Sequence, residues 1–331
     1  MREHIGGVER LAREMSVRLP LLRPDRYRVV RPPKSLAHGA GHLWEQAVLP
    51  ARAADCALIY SPANMAPVAS RRNVVVIHDA AALRHPEAYS GAYATYHRLI
   101  LPLLARRARL VLTVSEFSAR ELVELLGADP ARIRVIPNGV EERFRPDADP
   151  EPARRRHDLG RPYVLAVGTS SARKNHLALD ASARALDREG IDLVVAGSDR
   201  GYLRGADAEP RRLGYVSEAD LPGLYSGALA LAMPSLHEGF GLPCLEAMAS
   251  GTPVVIAPRG ALPETCGDAA LSADPGDPPA FAQTLLAAAR DDALRARLVP
   301  AGLRRASSFS WTRTAELTDR AIGGLLGADS D

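Results

Sequence analysis

Short apolar segments rich in β-branched residues alternate along the chain with longer segments of helical periodicity. The first series predicts five strands, at Tyr27–Val30, Ala57–Tyr60, Asn73–Ile77, Leu110–Val114 and Ile133–Ile136. The intervening helical patterns include Tyr93–Ala105 and Ser118–Leu126, and the second of these ends at Gly127. Strands that alternate with helices predict a parallel sheet covered by helices on both faces.

A proline-rich and charged stretch, residues 146–162, interrupts this alternation and is predicted to be a linker. A second series follows, with predicted strands at Tyr163–Val167, Asp192–Ala196, Leu229–Met233 and Val254–Ala257 and predicted helices at His176–Arg188, Leu221–Gly227, Pro243–Ala249 and Ala280–Ala289. The pattern predicts two doubly wound α/β domains with a cleft between them, over residues 1–145 and 163–307. Residues 308–331 are predicted to form a helix that crosses back toward the N-terminal domain.

The N-terminal segment departs from the usual order of such a domain. Gly6 and Gly7 precede a helical pattern at Val8–Leu19, but no strand pattern precedes the glycines. A glycine turn that leads into a helix normally follows the first strand, so this strand is predicted either to lie upstream of the given start or to be absent. We favour an upstream start, because a missing central strand would leave neighbouring backbone groups unpaired.

Charge and cysteine content limit the partners. The net charge of +3 divides into +6 for residues 1–150 and −3 for the remainder. A basic N-terminal half can attract anionic membrane lipid or a phosphorylated acceptor, and the alternative is an ordinary solvated surface of an arginine-rich chain. Cys56, Cys244 and Cys266 show no metal-ligand spacing, so we expect no metal site. Three scattered cysteines suit a reducing, cytoplasmic location. No nucleic-acid partner is expected.

The segment from Met233 to Val255 carries the clearest chemistry. A strand ends near Pro234, a loop holds Glu238, and a helix begins near Pro243. The helix N-terminus offers free N–H groups and a partial positive charge that favour phosphate. Glu246, eight residues after Glu238, can reach back to the same ligand, where both carboxylates would accept hydrogen bonds from sugar hydroxyls. The alternative is that both are carboxylates stabilised only by the helix dipole.

This segment resembles the E-x7-E signature of glycosyltransferase family 4, whose members are retaining enzymes with two Rossmann-like domains, the GT-B fold. Further segments resemble family motifs, namely Gly168–Asn175, Gly214–Val216, Ile77–Asp79, Ser115–Ser118, Ile136–Val140 and Phe309–Trp311. Within the family, His42–Pro50 is similar to a segment of mannosyltransferase B-like enzymes. The resemblance covers nearly the whole chain and implies an acceptor-side N-terminal domain and a nucleotide-sugar-binding C-terminal domain.

The resemblance also assigns roles to residues. It implies that Arg173 and Lys174 bind the donor diphosphate, that Glu238 contacts the donor sugar and that His78 faces this sugar from the N-terminal domain. It implies donor contacts from the remaining matched positions, namely Gly6, Gly7, Val216, Gly239, Phe240, Gly241, Leu242 and Glu246, with Glu246 on the ribose. Thr169 departs from the pattern, because many members have a basic residue there.

The expected reaction moves a hexose, first of all mannose from GDP-mannose, to a glycan or lipid-linked acceptor without a metal or other cofactor. Arg173 and Lys174 would stabilise the departing diphosphate. The Asp147-Ala148-Asp149 sequence lies in the predicted linker and is interpreted as a turn rather than a metal site. The alternatives are a non-catalytic nucleotide-sugar-binding protein, a sugar-nucleotide epimerase and, less favoured for a chain this short, a phosphorylase.

Overall fold

A computed structural model describes residues 6–33, 41–168, 171–175, 177–197 and 210–327. Within these ranges the chain forms ten strands. In chain order they are β1 (Ile59–Ser61), β2 (Asn73–Val76), β3 (Leu110–Thr113), β4 (Ile133–Val135), β5 (Tyr163–Val167), β6 (Asp192–Ala196), β7 (Arg211–Gly214), β8 (Leu231–Met233), β9 (Val254–Ile256) and β10 (Ala270–Ser272).

The same ranges contain fourteen α-helices. They are α1 (Gly7–Leu22), α2 (Gly41–Leu43), α3 (Leu49–Arg52), α4 (Ala81–Arg84), α5 (Gly91–Arg107), α6 (Glu116–Leu126), α7 (Glu151–Arg156), α8 (Leu177–Asp187), α9 (Leu221–Ser226), α10 (Leu242–Ala249), α11 (Leu262–Cys266), α12 (Pro278–Arg290), α13 (Asp292–Ser307) and α14 (Trp311–Gly327). A π-helical turn, Trp44–Val48, joins α2 to α3. None of the described helices is both long and apolar enough to cross a membrane.

The chain divides into two compact units. The first unit joins the residues up to Gly139 with those from Trp311 onward, and the second runs from Val140 to Ser310. This division differs from the predicted boundaries, because the predicted linker at 146–162 lies within the second unit. There α7 packs against α9, and Ala153 is fully buried. A proline-rich stretch can therefore carry enough apolar surface to belong to a core.

The first unit is built on a parallel sheet in the order β1-β2-β3-β4. All residues of β2 and β3 are buried, as expected for parallel strands covered on both faces. One face packs against α5 and α6 through Leu101, Leu104 and Leu122. The other face packs against α1 and α14, whose Met15 and Trp311 belong to a second apolar cluster. The C-terminal helix α14 thus belongs to this unit.

The predicted strand at Tyr27–Val30 is wrong. These residues join no described strand, and side-chain contacts hold them instead. The hydroxyl of Tyr27 donates to Asp319 over 2.8 Å, and Arg28 contacts Asp55 over 2.6 Å. A strand needs a hydrogen-bonding neighbour, and the only described partner of the edge strand β1 is β2. The apolar pattern alone could not supply that neighbour.

The second unit is built on a parallel sheet in the order β10-β9-β8-β5-β6-β7. The chain passes from β5 to β6 on one side and later returns to β8 on the other, so β5 lies at the switch point of the sheet. Ligands of doubly wound sheets bind at the carboxyl ends of the strands beside this point. The loops after β5 and β8 therefore occupy the expected binding edge.

The predicted strands and helices other than Tyr27–Val30 are confirmed, with ends that move by three residues or fewer, except that the helix predicted over 308–331 is described from Trp311 to Gly327. Two edge strands, β7 and β10, were not predicted. Their sequences are short, and most of their residues are incompletely buried, so the apolar pattern that marks the central strands is weak in them. Each of the two units is thus a parallel-sheet α/β structure.

Candidate functional site

The loops after β5 and β8 bring Arg173, Lys174 and Glu238 together. The ammonium of Lys174 donates to Oε1 of Glu238, and Nη1 of Arg173 lies 3.6 Å from Oε2 of the same carboxylate. The two loops are also joined through the backbone, because the N–H of Leu236 donates to the carbonyl of Arg173 over 2.8 Å. Arg173 donates in addition to the carbonyl of His237 over 3.0 Å. We call Arg173, Lys174 and Glu238 the charge cluster.

Lys174 and Glu238 of the charge cluster are buried, and Arg173 is partly exposed. Lys174 is 9% exposed and Glu238 is 7% exposed. Burial by itself raises the pKa of Glu238, but the charges of Lys174 and Arg173 outweigh it and lower the pKa from 4.5 to about 2. Glu238 is therefore ionised at neutral pH. Two cations face one carboxylate, so the cluster keeps a net positive charge that suits an anionic ligand.

A glycine at the end of β5 makes room for the lysine. Gly168 has φ +153°, and a Cβ there would lie 3.2 Å from Cε of Lys174. The lysine side chain therefore crosses the backbone at the position where β5 ends. The predicted departure at Thr169 lies outside the described residues.

The loop that leads into α10 also depends on glycine. Gly241 has φ +96°, and a Cβ there would lie 2.7 Å from the side chain of Leu262. The side chains of Phe240 and Leu242 are buried, and the ring of Phe240 meets the edge of Phe309. Contacts from Gly239, Phe240, Gly241 and Leu242 to a ligand would therefore use their backbone groups rather than their side chains, next to the N-terminus of α10.

Glu246 projects from α10 toward α9. Its Oε2 accepts a hydrogen bond from the hydroxyl of Tyr225 over 2.8 Å, and the side chain is 4% exposed. This contact shows that the carboxylate has a specific partner besides the helix dipole. Val216 follows β7 at the same edge of the sheet, and its side chain is buried. Only its backbone would be available to a nucleotide base.

The remaining predicted site residues lie in the first unit. His78 follows β2, where its ring nitrogen Nε2 lies 3.0 Å from the carbonyl of Pro62. Burial lowers the pKa of His78, and the opposing effects of Pro62, Asp79 and Glu9 are smaller, so the ring is neutral at pH 7. Because the charge of Glu9 acts on His78, the start of α1 lies near the end of β2.

The predicted glycine turn at Gly6 and Gly7 forms the beginning of α1. Gly6 caps the helix in an extended conformation with φ −85°, and its N–H donates to Glu9 over 3.1 Å. A Cβ on Gly7 would meet no atom within 4 Å. Neither glycine is required by the backbone conformation, so any requirement for them would come from a ligand.

Two contributors to the site were missed by the sequence analysis. Ser235 is fully buried and forms a hydrogen bond that helps to lower the pKa of Glu238. Gly260 has φ +61°, and a Cβ there would lie 2.6 Å from the carbonyl oxygen of Glu238. The next N–H, that of Ala261, donates to this carbonyl over 2.9 Å. The sequence gives only a weak signal for Gly260, because a glycine shortly before Leu262-Pro263 looks like the entry to any other helix.

The Asp147-Ala148-Asp149 sequence serves the local backbone. Asp149 accepts from the N–H of Glu151 over 3.0 Å at the start of α7, and Asp147 lies 3.3 Å from Arg145. In the described part of the chain, no group of three or more histidine, cysteine or acidic side chains is arranged to hold a metal ion.

The two parallel-sheet units match the domains of GT-B glycosyltransferases of known structure, and the charge cluster at the switch point of the second sheet suits a phosphate group. A family model described as "Glycosyltransferase Family 4" matches residues 23–144, and one described as "Glycosyl transferases group 1" matches residues 161–291. The O-antigen chain mannosyltransferase B of Escherichia coli is 33% identical over 286 residues, which cover 80% of this chain and 73% of that protein. The chain belongs to glycosyltransferase family 4.

Other relatives differ in their activities. The D-inositol 3-phosphate glycosyltransferase of Salinispora arenicola is 34% identical over 253 residues, which cover 68% of this chain but 55% of that protein. The Anabaena protein HepE, whose structure was solved in complex with UDP-glucose, superimposes with a TM-score of 0.75 over 98% of both chains at 20% identity. The structural match extends over both units and shows the shared fold.

Proposed function

We propose that the protein is a retaining hexosyltransferase that moves a sugar from a nucleotide sugar to a glycan or lipid-linked acceptor. The observation that carries the proposal is the buried charge cluster at the switch point of the second sheet. Mannose from GDP-mannose is the first candidate donor, and it rests on the similarity to O-antigen chain mannosyltransferase B. A phosphorylated acceptor is the alternative, because another relative is a D-inositol 3-phosphate glycosyltransferase.

The charge cluster would act on the leaving group. Cleavage of the sugar–phosphate bond places negative charge on the departing diphosphate, and buried cations that are already in place stabilise it strongly. Arg173 and Lys174 fit this role because the two loops hold them at the same carboxylate. A diphosphate would compete with Glu238 for both cations, which would release carboxylate oxygens to accept hydrogen bonds from the donor sugar.

Glu246 would bind the ribose. Its contact with Tyr225 fixes the carboxylate on the first turns of α10, so little conformational freedom is lost when ribose hydroxyls donate to it. The backbone of Val216 would hold the base. The family resemblance further assigns His78 to the donor sugar and Gly6 and Gly7 to the diphosphate, and the neutral state of His78 suits a hydrogen bond with a sugar hydroxyl.

The reaction is proposed to need no metal ion. The net positive charge of the cluster can offset the charge of the diphosphate, which in other transferases is often the task of a divalent cation. Asp149 accepts a hydrogen bond at the start of α7 and Asp147 pairs with Arg145, which supports a reaction that needs no metal ion.

A peripheral contact with anionic membrane is proposed for the first unit. The exposed side chains of α5 include Leu99 and Leu103, which are 62% and 44% exposed, and α5 ends in Arg106 and Arg107. The helix sequence contains no acidic residue. Apolar side chains beside arginines are suited to the interface of an anionic bilayer.

The test is a thermal-shift and hydrolysis screen with GDP-mannose, UDP-glucose, UDP-GlcNAc and dTDP-rhamnose, each with and without EDTA. A donor that binds the folded state raises Tm. A shift with one donor, hydrolysis that is indifferent to EDTA, and NMR detection of a product that keeps the donor's anomeric configuration would support the proposal. A shift without turnover, tested with oligomannoside and lipid-linked acceptors, would indicate a binding protein. The absence of any shift would contradict the proposal.

A further inference from the structure

A group of aromatic rings lies beside the carboxyl end of β2 in the first unit. The rings of Tyr93 and His97 stack with centroids 3.8 Å apart, and Tyr89 stacks on Tyr93 at 5.2 Å. Tyr96 meets the edge of His97 at 5.6 Å, and His42 lies 5.2 Å from Tyr96. We call these five residues the aromatic cluster. Its members come from three segments of the chain, namely α2, the turn before α5, and α5 itself.

Two carboxylates accompany the aromatic cluster. Glu45 acts on Tyr96 and Asp79 acts on His97 through their charges. Glu45 stands on the π-helical turn, a rare conformation that is frequent at functional sites. Gln46 anchors this turn with hydrogen bonds of 2.9 Å to the carbonyl of Ala66 and 2.8 Å from the N–H of Val68. Gln46 thus fixes the turn that carries Glu45.

The electrostatic character of this region is opposite to that of the charge cluster. The charged groups that act on Tyr96 and His97 are Glu45, Asp79 and His42. Burial lowers the pKa of His97 and raises that of Glu45 to about 7. A phosphate group would therefore meet carboxylates and neutral rings rather than cations, which disfavours it.

We propose that the aromatic cluster, together with Glu45 and Asp79, is a subsite for a neutral sugar unit of the acceptor. The inference rests on the proposed transfer of a hexose and names the class of acceptor. Tyr93 is 44% exposed, so the part of its ring that Tyr89 and His97 leave accessible can contact the C–H groups of a pyranose. The carboxylates and the imidazole of His42 supply a few polar groups that fix the orientation of its hydroxyls. A phosphorylated acceptor would bind weakly here.

The direct test measures sugar binding without any transfer reaction. Saturation-transfer difference NMR with methyl α-D-mannopyranoside should show binding to the wild-type protein, and D-mannose 6-phosphate should bind about tenfold more weakly because of charge repulsion. Tyr93→Ala and Glu45→Gln should each weaken the binding of the neutral sugar by about fivefold to tenfold. Stronger binding of the phosphorylated sugar, or unchanged binding by both variants, would overturn the subsite.

Matched controls separate the subsite from other roles of the same helix. Leu99 is more exposed than Tyr93 and lies about 240° around α5 from it, because six residues separate them. Leu99→Ala should leave sugar binding within about twofold of wild type. Glu87→Gln, at an exposed carboxylate of the neighbouring turn, should do the same. Equal losses in Leu99→Ala and Tyr93→Ala would indicate a general disturbance of α5 and would contradict the proposal.

Two further measurements keep the outcomes apart. Co-sedimentation with phosphatidylglycerol vesicles should decrease for Leu99→Ala and not for Tyr93→Ala. If Tyr93→Ala lost vesicle binding but kept sugar binding, the aromatic cluster would be a membrane contact instead.

In transfer assays, Tyr93→Ala should raise the KM for a soluble acceptor about tenfold with little change in the KM for the donor. Sugar binding without any donor shift would refute the proposed function and leave the subsite supported.

Discussion

At the carboxyl edge of the second sheet, Glu238 is held ionised between Arg173 and Lys174, and glycines with positive φ shape the loops around it. At the carboxyl edge of the first sheet, burial lowers the pKa of His97 and raises that of Glu45 to about 7. The two edges have the same backbone geometry, because both are ends of parallel strands. The difference lies in the charges, which under our proposals suit one edge to a diphosphate and the other to uncharged hydroxyl groups.

The substitution with the largest expected effect is Lys174→Ala. If Lys174 stabilises the leaving diphosphate, kcat/KM for transfer or donor hydrolysis should fall by about two to three orders of magnitude. The comparison between the two edges predicts that the same variant still binds methyl α-D-mannopyranoside as the wild type does. Steady-state kinetics and NMR binding measure the two effects.

The control for this change is Arg188→Ala, which removes an exposed cation from the same unit and should alter kcat/KM by less than about twofold. A loss of less than about threefold in Lys174→Ala would remove Lys174 from the leaving-group role, because it would be far below the effect of one preorganised donor.

Gly260→Ala tests whether the turn behind Glu238 holds the charge cluster in place. The new Cβ would lie 2.6 Å from the carbonyl of Glu238 in a backbone conformation with φ +61°, so Glu238 must move. We expect a loss of about 3 kcal/mol in the free energy of unfolding, from strain and overpacking together. The thermal shift with the donor should also disappear. Urea unfolding and thermal-shift measurements record both.

Gly190→Ala is the matched control for backbone strain. Gly190 has φ +72°, but a Cβ there would meet no atom within 4 Å. This variant should lose only about 1 kcal/mol and keep the donor shift. If the two variants behaved alike, the contact with Glu238 would have no importance beyond the strain of the turn.

The sequence predicted the charged edge much better than the neutral one. Arg173, Lys174 and Glu238 lie in the loops that follow the apolar strands β5 and β8, so the ends of these strands restrict their position once the parallel order is known. The pairing of His42 with Tyr96 joins residues on different helices, and no local pattern indicates it. The contact of Tyr225 with Glu246 likewise depends on how α9 packs against α10. The predicted strand at Tyr27–Val30 was wrong for the same reason, because a strand requires a hydrogen-bonded neighbouring strand.

The two edges should also respond to pH with opposite signs. The folded pKa of Glu238, about 2, lies below its unfolded value of 4.5. Its ionised form therefore contributes stability above about pH 5, and this contribution, about 3 kcal/mol, is lost as the pH falls toward 2. Glu238→Gln should destabilise the protein most at pH 7, and the difference from wild type should shrink toward pH 3. Urea unfolding across this range measures it.

The control here is Glu189→Gln, at a carboxylate that is 42% exposed and paired with Arg290 on the surface. Its unfolding free energy should stay within about 1 kcal/mol of the wild type throughout this range, because an exposed ion pair contributes little. A pH-independent difference between Glu238→Gln and the wild type would mean that the carboxylate is not held ionised by the two cations.

Glu45 provides the opposite case in the first unit. Burial raises its pKa from 4.5 to about 7, so the folded protein binds more protons than the unfolded chain between these values. The stability linked to Glu45 is therefore present below about pH 4.5 and is lost as the pH rises through 7. Glu45→Gln, which resembles the protonated form, should stabilise the protein by about 1–2 kcal/mol at pH 8 and have little effect at pH 5. Stabilisation that is equal at both pH values would show that burial does not control this carboxyl group.

The smallest effect is expected for Tyr225→Phe, which removes the hydroxyl that donates to Glu246. Loss of a hydrogen bond to a carboxylate should cost about 1–2 kcal/mol of stability and raise the KM for the donor a few-fold, because the ribose-binding carboxylate is less well fixed. Tyr163→Phe is the matched control, since its hydroxyl donates to the carbonyl of Leu224 over 2.8 Å in the same unit. Both variants should be less stable in urea unfolding, but only Tyr225→Phe should weaken donor binding. If both left the KM for the donor unchanged, Glu246 would be a structural partner of Tyr225, and the donor contacts of the second unit would be confined to the charge cluster and the backbone of its loops.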